Sequence, residues 1–159
     1  MKILIVSDSH GNNEVLDELV RTHTDVSLFL HCGDSCCPAH SIFPFKSVRG
    51  NCDYLYDMEE TFILPSPFGN ILLKHKPNAT DKFLKDNNIR IYVYGHSHIK
   101  ECSKKNNICY INPGSVSEPR DGDMPSYIIL ENDEKEMFCS FYEVDSNKLI
   151  KKFRVYVKE

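Results

Sequence analysis

The sequence predicts an α/β protein in which two β-sheets pack against each other with helices on the outside. Two observations lead there. The early half alternates continuous apolar runs with an amphipathic helix, the strand–helix–strand pattern of a parallel unit. The late half is rich in short strands of alternating polarity separated by polar turns. No linker, repeat or low-complexity segment interrupts the chain, so residues 1–159 are expected to form one domain, long enough to bury a core.

Taken in order, KILIVSD is continuous in its apolar character and predicts a strand buried on both faces. Asn12 or Asn13 is placed to cap a helix in which Val15, Leu16, Leu19 and Val20 share one face. DVSLFLHCGD predicts a second buried strand, and FKSVRG a third after a proline-containing connection. ETFILP and NILLKH flank the turn-rich SPFGN and predict an antiparallel hairpin. Residues 79–88 read as a short helix, with Asn78 as its cap and Asn87–Asn88 as its stop. IYVYG predicts another buried strand, and ECSK and ICYIN form a hairpin around KNN. SYIILEN, EMFCSFYEV and KKFRVYV supply the last strands.

Composition excludes several classes of function. With 41% hydrophobic and 26% charged residues the chain is of ordinary globular type and not disordered. A net charge of −4, with no basic block, gives no global attraction to nucleic acid. The first apolar run, Ile3 to Val6, is too short for a signal-peptide core, and no stretch approaches the roughly 18 apolar residues of a membrane span. The expectation is a cytoplasmic protein with no membrane partner. Seven cysteines, an odd number without a CxxC pair, are expected to be reduced thiols. The adjacent Cys36 and Cys37 read as small loop residues rather than a soft-metal or redox pair.

Side chains suited to metal binding gather where buried strands end. The first strand ends in SDSH with Asp8 and His10, and the second in CGD with Asp34. The third ends in RGNCD with Asn51, Cys52 and Asp53. NILLKH ends in His75, and IYVYG is followed by His96 and His98. Each alone has an ordinary explanation as a helix cap, a turn or a hydrogen-bonded histidine. Five strand ends would each need that explanation, whereas a single metal site accounts for all of them, and ligand sites form at the carboxyl ends of parallel strands. Two carboxylates, one amide and four imidazoles suit Mn2+, Fe2+, Co2+, Ni2+ or Zn2+ rather than an all-oxygen calcium cage or a thiolate zinc site. Seven such side chains exceed the needs of one catalytic ion and point to two ions about 3.5–4 Å apart sharing a carboxylate.

The ordered series SDSHG, CGD, RGNCD, KH, YGHSH and INPGS resembles the calcineurin-like metallophosphoesterase superfamily, and more closely its small YfcE-type phosphodiesterase branch. The resemblance implies a four-layer α/β/β/α sandwich of two mixed sheets flanked by helices. It implies that Asp8, His10 and His98 hold one divalent ion, that Asn51, His75 and His96 hold another, and that Asp34 bridges them, with Gly95 letting the backbone turn so that each ring reaches its own metal. It further implies hydrolysis of a small phosphoester by a hydroxide held between the ions, with Mn2+ first among the metals. The alternatives are a non-enzymatic scaffold like the retromer subunit Vps29, on the same fold, and a phosphomonoesterase.

The sequence departs from the wider family in two places. Cys52 stands where larger phosphatases carry a histidine that can protonate the leaving group, so Asn51, Cys52 and Asp53 are the catalytic candidates, Asp53 to orient the Cys52 segment or a water, or to hold the turn. His75 is followed by Lys76 and Pro77 where the family motif usually continues with glycine. Arg120 reads as a solvated turn residue, and NPGS at 112–115 as a segment shaping the backbone near the site.

Overall fold

Ile3 and Ile5 point to one side of the first strand and Leu4 and Val6 to the other, and all four are fully buried. A strand apolar on both faces needs a packed layer on each side, and the architecture follows from that requirement. A computed structural model of the chain describes residues 1–158. The chain runs β1 (Lys2–Val6), α1 (Asn13–Thr22), β2 (Leu28–His31), a 3-10 turn (Ala39–Ile42), β3 (Phe45–Ser47), β4 (Thr61–Leu64) and β5 (Asn70–Lys74). It continues through α2 (Asp81–Asp86), β6 (Ile89–Val93), β7 (Glu101–Lys105), β8 (Ile108–Asn112), β9 (Ser126–Asn132), β10 (Glu136–Glu143) and β11 (Leu149–Val157).

The strands form two mixed sheets, as expected. The first has the order β11-β10-β9-β1-β2-β3, parallel across β1, β2 and β3 and antiparallel across the rest. The second has the order β4-β5-β6-β8-β7, with β5, β6 and β8 parallel and an antiparallel strand at each edge. Ile3, Ile5 and Leu30 of one sheet meet Ile71, Leu73, Ile91 and Val93 of the other in the central core. Leu4 and Val6 pack outward on Leu16 and Leu19 of α1, and Leu72 and Tyr92 pack outward on Leu84 of α2. The layers are α/β/β/α.

Helix α1 is too short to be stable alone in water, so its buried face holds it in place. Leu16 and Leu19 contribute about 1.5–3 kcal/mol each by burial. Asn12 caps it, its side chain accepting from the Val15 N–H at 3.4 Å. The second helix differs from expectation. It covers only Asp81–Asp86, and its cap is Thr80, whose Oγ1 accepts from the Phe83 N–H at 3.2 Å, not Asn78. The buried Tyr92 hydroxyl donates to the Lys76 carbonyl at 2.6 Å and accepts from the Ala79 N–H at 3.4 Å, which ties 76–79 down as a loop. Asn87 ends the helix as the C-cap. Between β7 and β8 both Asn106 and Asn107 are left-handed, with φ of 51° and 61°, which suits a two-residue hairpin turn.

Candidate metal centre

The loops after β1, β2, β3, β5 and β6 converge at one end of the two sheets, and every proposed ligand lies there. Asp8 and His98 meet first. Asp8 Oδ1 lies 3.3 Å from His98 Nε2, and His98 Nε2 lies 3.3 Å from His10 Nε2. His75 Nε2 is 3.2 Å from Asp34 Oδ2 and 3.9 Å from Asp8 Oδ1. Asn51 Oδ1 is 2.9 Å from His75 Nε2 and 3.1 Å from His96 Nδ1. His98 therefore sits in the group of Asp8 and His10, and His96 in the group of Asn51 and His75. The first group is largely buried, while Asn51 and His96 are exposed and leave the second open to solvent.

The donor chemistry of the cluster fits a cation. His75 Nδ1 lies 2.9 Å from the Cys32 carbonyl and His98 Nδ1 lies 2.6 Å from the Glu118 carbonyl. A carbonyl only accepts, so each Nδ1 carries the proton, and in the neutral ring each Nε2 presents a lone pair to the carboxylates. Asp8 Oδ2 is satisfied by Ser7 Oγ–H at 2.6 Å and the His96 N–H at 3.1 Å. Asp8 Oδ1 is buried and has no hydrogen-bond partner among the described residues. A buried carboxylate oxygen facing imidazole lone pairs is strongly unfavourable unless a cation or a proton lies among them.

In the metal-free chain the two carboxylates act on His75. Burial would lower the pKa of His75, but the hydrogen bond to Asp34 and the charges of Asp8 and Asp34 outweigh it and raise it above the ordinary histidine value. Burial would raise the carboxyl of Asp34, yet the hydrogen bonds from His75 and the Cys52 N–H hold it at about 2. Burial lowers His96, with the charges of His75 and Lys76 adding to the effect. Burial pushes the Cys36 thiol up to about 12 and raises the Cys52 thiol as well.

The backbone here is left-handed at side chains that rarely adopt it. Asp8, His10, Asp34, Cys36, His96 and His98 have φ of 54°, 45°, 61°, 59°, 70° and 61°. Each costs on the order of 1 kcal/mol, and such clustering marks sites where geometry matters more than stability. This corrects the expectation for Gly95. The turn is made by His96 and His98 themselves, whereas Gly95 is needed for space: a Cβ there would overlap Ser7 Oγ and Asp8 Oδ2. Gly50 is required for the same reason, because a Cβ would overlap Asp34.

Of the three catalytic candidates, Asn51 faces the two histidines and Cys52 lies half-buried at the rim, its N–H donating to Asp34 Oδ1 at 2.8 Å. Asp53 is fully buried. Its Oδ2 accepts from the N–H groups of Asp34 at 2.8 Å and Gly50 at 2.7 Å, and its Oδ1 from that of Cys36 at 2.9 Å. It holds the turn and faces no open space. Arg120 is exposed, with only its backbone N–H near the His98 carbonyl. The 112–115 segment reaches the site: Ser115 Oγ donates to the Asp8 carbonyl at 2.8 Å and Asn112 Nδ2 to the Gly95 carbonyl at 3.0 Å.

Sequence reasoning passed over His31, which reads as one more residue of an apolar strand. It is fully buried, accepting from the Gly33 N–H at Nδ1 (3.0 Å) and donating from Nε2 to Ser9 Oγ (2.8 Å). Its neutral ring thus joins the loops that carry Asp8, His10 and Asp34. Burial lowers its pKa to about 3.

A cleft of about 220 Å³ adjoins the cluster through Asn51 and His75. Arg49, Lys74 and Lys76 line it against one acidic residue, Glu60.

Known proteins resemble this chain in sequence and in fold. The model of the calcineurin-like phosphoesterase superfamily domain matches residues 1–135. The chain is 31% identical to the probable metallophosphoesterase YsnB of Bacillus subtilis over 160 positions, covering 94% of this chain and 95% of the relative. It is 36% identical to the phosphodiesterase YfcE of Escherichia coli K12 over 104 positions, which cover 60% of this chain and 55% of that protein. A solved structure described as a predicted phosphoesterase from Streptococcus pneumoniae TIGR4 superposes with a TM-score of 0.83 at 24% identity, over 96% of this chain and 97% of that one. Vps29 of Entamoeba histolytica, solved with Zn2+, superposes with a TM-score of 0.71 at 17% identity over 98% and 100% of the two chains, and shares the fold.

Proposed function

The chain belongs to the calcineurin-like phosphoesterase superfamily, and from that premise we propose that it is a phosphodiesterase working on small phosphoesters with two divalent ions, Mn2+ foremost, and with residues 1–159 as a single catalytic domain. One observation carries the reading: Asp8 Oδ1 is buried without a hydrogen-bond partner among the described residues and is faced by the Nε2 atoms of His98 and His75.

In this reading Asp8, His10 and His98 hold one ion, Asn51, His75 and His96 hold the other, and Asp34 serves both. When bound, such ions supply hydroxide near neutral pH and offset charge on the phosphoryl oxygens. The protein's own part is arrangement. The Cys32 and Glu118 carbonyls fix the tautomers of His75 and His98, so their Nε2 lone pairs need no reorganisation. Asp53 and the Cys52 N–H fix both ends of the Asp34 carboxylate segment. The cationic cleft of Arg49, Lys74 and Lys76 seats the part of the substrate beyond the reacting phosphorus. Diester chemistry is favoured because Cys52 occupies the place of a histidine acid: an activated ester leaves without protonation, whereas an alkyl monoester leaves slowly.

A Vps29-like scaffold shares the fold and, as the Zn2+-bound neighbour shows, metal binding alone does not separate the two. Turnover does. Bis(4-nitrophenyl) phosphate and 4-nitrophenyl phosphate should be assayed with added Mn2+ and after chelation. Mn2+-dependent hydrolysis that is faster on the diester supports the proposal; a chain that binds metal yet turns over neither ester is a scaffold.

A further inference from the structure

Two thiols stand beside the proposed metal centre and are not among its ligands. Cys36, in the loop after β2, and Cys52, in the loop after β3, bring their Sγ atoms to the outer side of the His10 ring. The two sulfurs and one His10 nitrogen all lie within 4.8 Å of one another. Cys36 Sγ lies 3.4 Å from His10 Nδ1. All three side chains are half-buried, within reach of ions from solvent. Cys37, next in sequence, turns away and places its Sγ 3.6 Å from the Asn13 side chain. The thiol partner of Cys36 is thus not its neighbour but a residue from another loop.

The spacing suits one ion. With Zn–S near 2.3 Å and Zn–N near 2.0 Å, tetrahedral coordination puts sulfur and nitrogen about 3.5 Å apart and two sulfurs about 3.8 Å apart. The observed 3.4 Å matches the first of these. Cys52 Sγ lies within 4.8 Å of both other donor atoms, at a half-buried loop position. Two sulfurs and an imidazole select a borderline or soft cation over Mg2+, Ca2+ or Mn2+, which prefer oxygen.

We propose that Cys36, Cys52 and His10 Nδ1 form an outer site for a single thiophilic cation, Zn2+ or Cd2+, with its fourth position open to water. On binding, the two thiol protons pass to solvent. The outer site also antagonises the inner one. His10 Nε2 faces His98 Nε2 at 3.3 Å and Asp8 Oδ1 at 3.9 Å, on the inner side of the same ring. A neutral imidazole has one free lone pair, so an ion bound through Nδ1 withdraws His10 from the inner centre. Inhibition of turnover by the outer ion rests on the function proposed above; binding at the outer site does not.

The test uses the full chain, kept reduced with a phosphine, loaded with Mn2+ and titrated with Cd2+ alone. Thiolate-to-Cd2+ absorption in the ultraviolet and Cd2+ content after desalting are the readouts. One Cd2+ per chain should bind with that absorption. Cys36→Ser and Cys52→Ser should each weaken it by roughly tenfold or more, and Cys37→Ser should leave it as in the parent. Absorption undiminished in both Cys36→Ser and Cys52→Ser, or absent from the parent chain, overturns the site. If either variant fails to fold, Cd2+-soaked crystals of the parent decide: an anomalous peak among Cys36, Cys52 and His10 is expected, and its absence overturns the proposal. Inhibition of Mn2+-dependent turnover by Cd2+ should be lost in Cys36→Ser. If Cd2+ binds as described but there is no turnover to inhibit, the functional reading fails and the outer site stands.

Discussion

The backbone N–H of Asp34 donates to Asp53 Oδ2 at 2.8 Å, so Asp53, grouped by sequence with the catalytic candidates, holds the turn that carries Asp34. The same oxygen takes the Gly50 N–H and the other takes the Cys36 N–H, joining the loops after β2 and β3 through one buried side chain. A buried donor left without its acceptor costs about 1–3 kcal/mol. Asp53→Asn turns one oxygen into a donor that confronts these N–H groups. We expect it to lower unfolding free energy by about 2–3 kcal/mol in urea titrations and to weaken Mn2+ binding roughly 10- to 100-fold through displacement of Asp34. A variant with parent stability and parent metal affinity would show that the three hydrogen bonds are dispensable.

His96 and His98 are two residues apart yet face different partners, Asn51 on one side and Asp8 with His10 on the other. His96→Ala and His98→Ala should therefore empty different metal positions, and Asp34→Ala should deplete both. Crystals of each variant soaked in Mn2+ would give anomalous peaks to compare. Loss of one common peak in the two histidine variants would mean that the pair serves a single ion.

The strand ends that carry Asp8, Asp34, His75 and His96 were legible in the sequence because each follows an apolar run, and such runs mark strands buried on both faces; Asn51 instead follows the short, mixed FKSVRG and was legible from its Gly-Asn turn. The hairpin around Asn106–Asn107 was legible for a similar local reason. What was not legible depends on contacts between distant segments. Nothing local marks His96, His98, Asp8 or Asp34 as left-handed, since that conformation is ordinarily assigned to glycine or asparagine. Gly95 was read as a hinge, when its actual constraint is the nearness of Ser7 and Asp8, far away in sequence. The Thr80 cap displaced Asn78 because Tyr92, on β6, ties down the preceding loop. Cys36 and Cys37 read in the sequence as small loop residues, whereas the fold sets Cys36 against His10 and Cys52.

His31 makes stability depend on pH in a window where the Asp34–His75 pair adds no slope. Burial holds the His31 pKa at about 3, against an ordinary value of 6.5. Between those values the unfolded chain binds one proton more than the folded one, so stability falls as pH falls. The full effect, fewer than four pH units at about 1.4 kcal/mol each, is on the order of 4–5 kcal/mol. In the metal-free chain the contribution of Asp34, whose pKa is depressed to about 2, is lost only as pH falls below its ordinary value of 3.8. That of His75, whose pKa is raised, is lost only as pH rises past 6.5. His23 and His96 are lowered and act in the same direction as His31, so comparison with a variant carries the test. Urea unfolding of metal-free His31→Gln between about pH 4 and 5.5 should show a slope smaller than the parent's by up to about 1.4 kcal/mol per pH unit. Equal slopes would mean that His31 titrates normally in the folded state.

Lys76 is the departure from the family motif that the cationic cleft brings into use. It follows the buried His75, is exposed, and lines the cleft with Arg49 and Lys74 opposite Glu60. The cleft reaches the centre through Asn51 and His75, so a group seated there is bound before and during reaction alike. An interaction equally strong in both states lowers KM and leaves kcat alone. An exposed lysine meeting an anionic group is worth about 1 kcal/mol or less in water. We therefore expect Lys76→Ala to raise KM up to about fivefold for an aryl phosphodiester whose second ester group carries a carboxylate, with kcat unchanged and the effect fading at high salt. The uncharged analogue of that diester should show little change. A fall in kcat on both substrates at unchanged metal content would instead place Lys76 among the groups that act on the transition state.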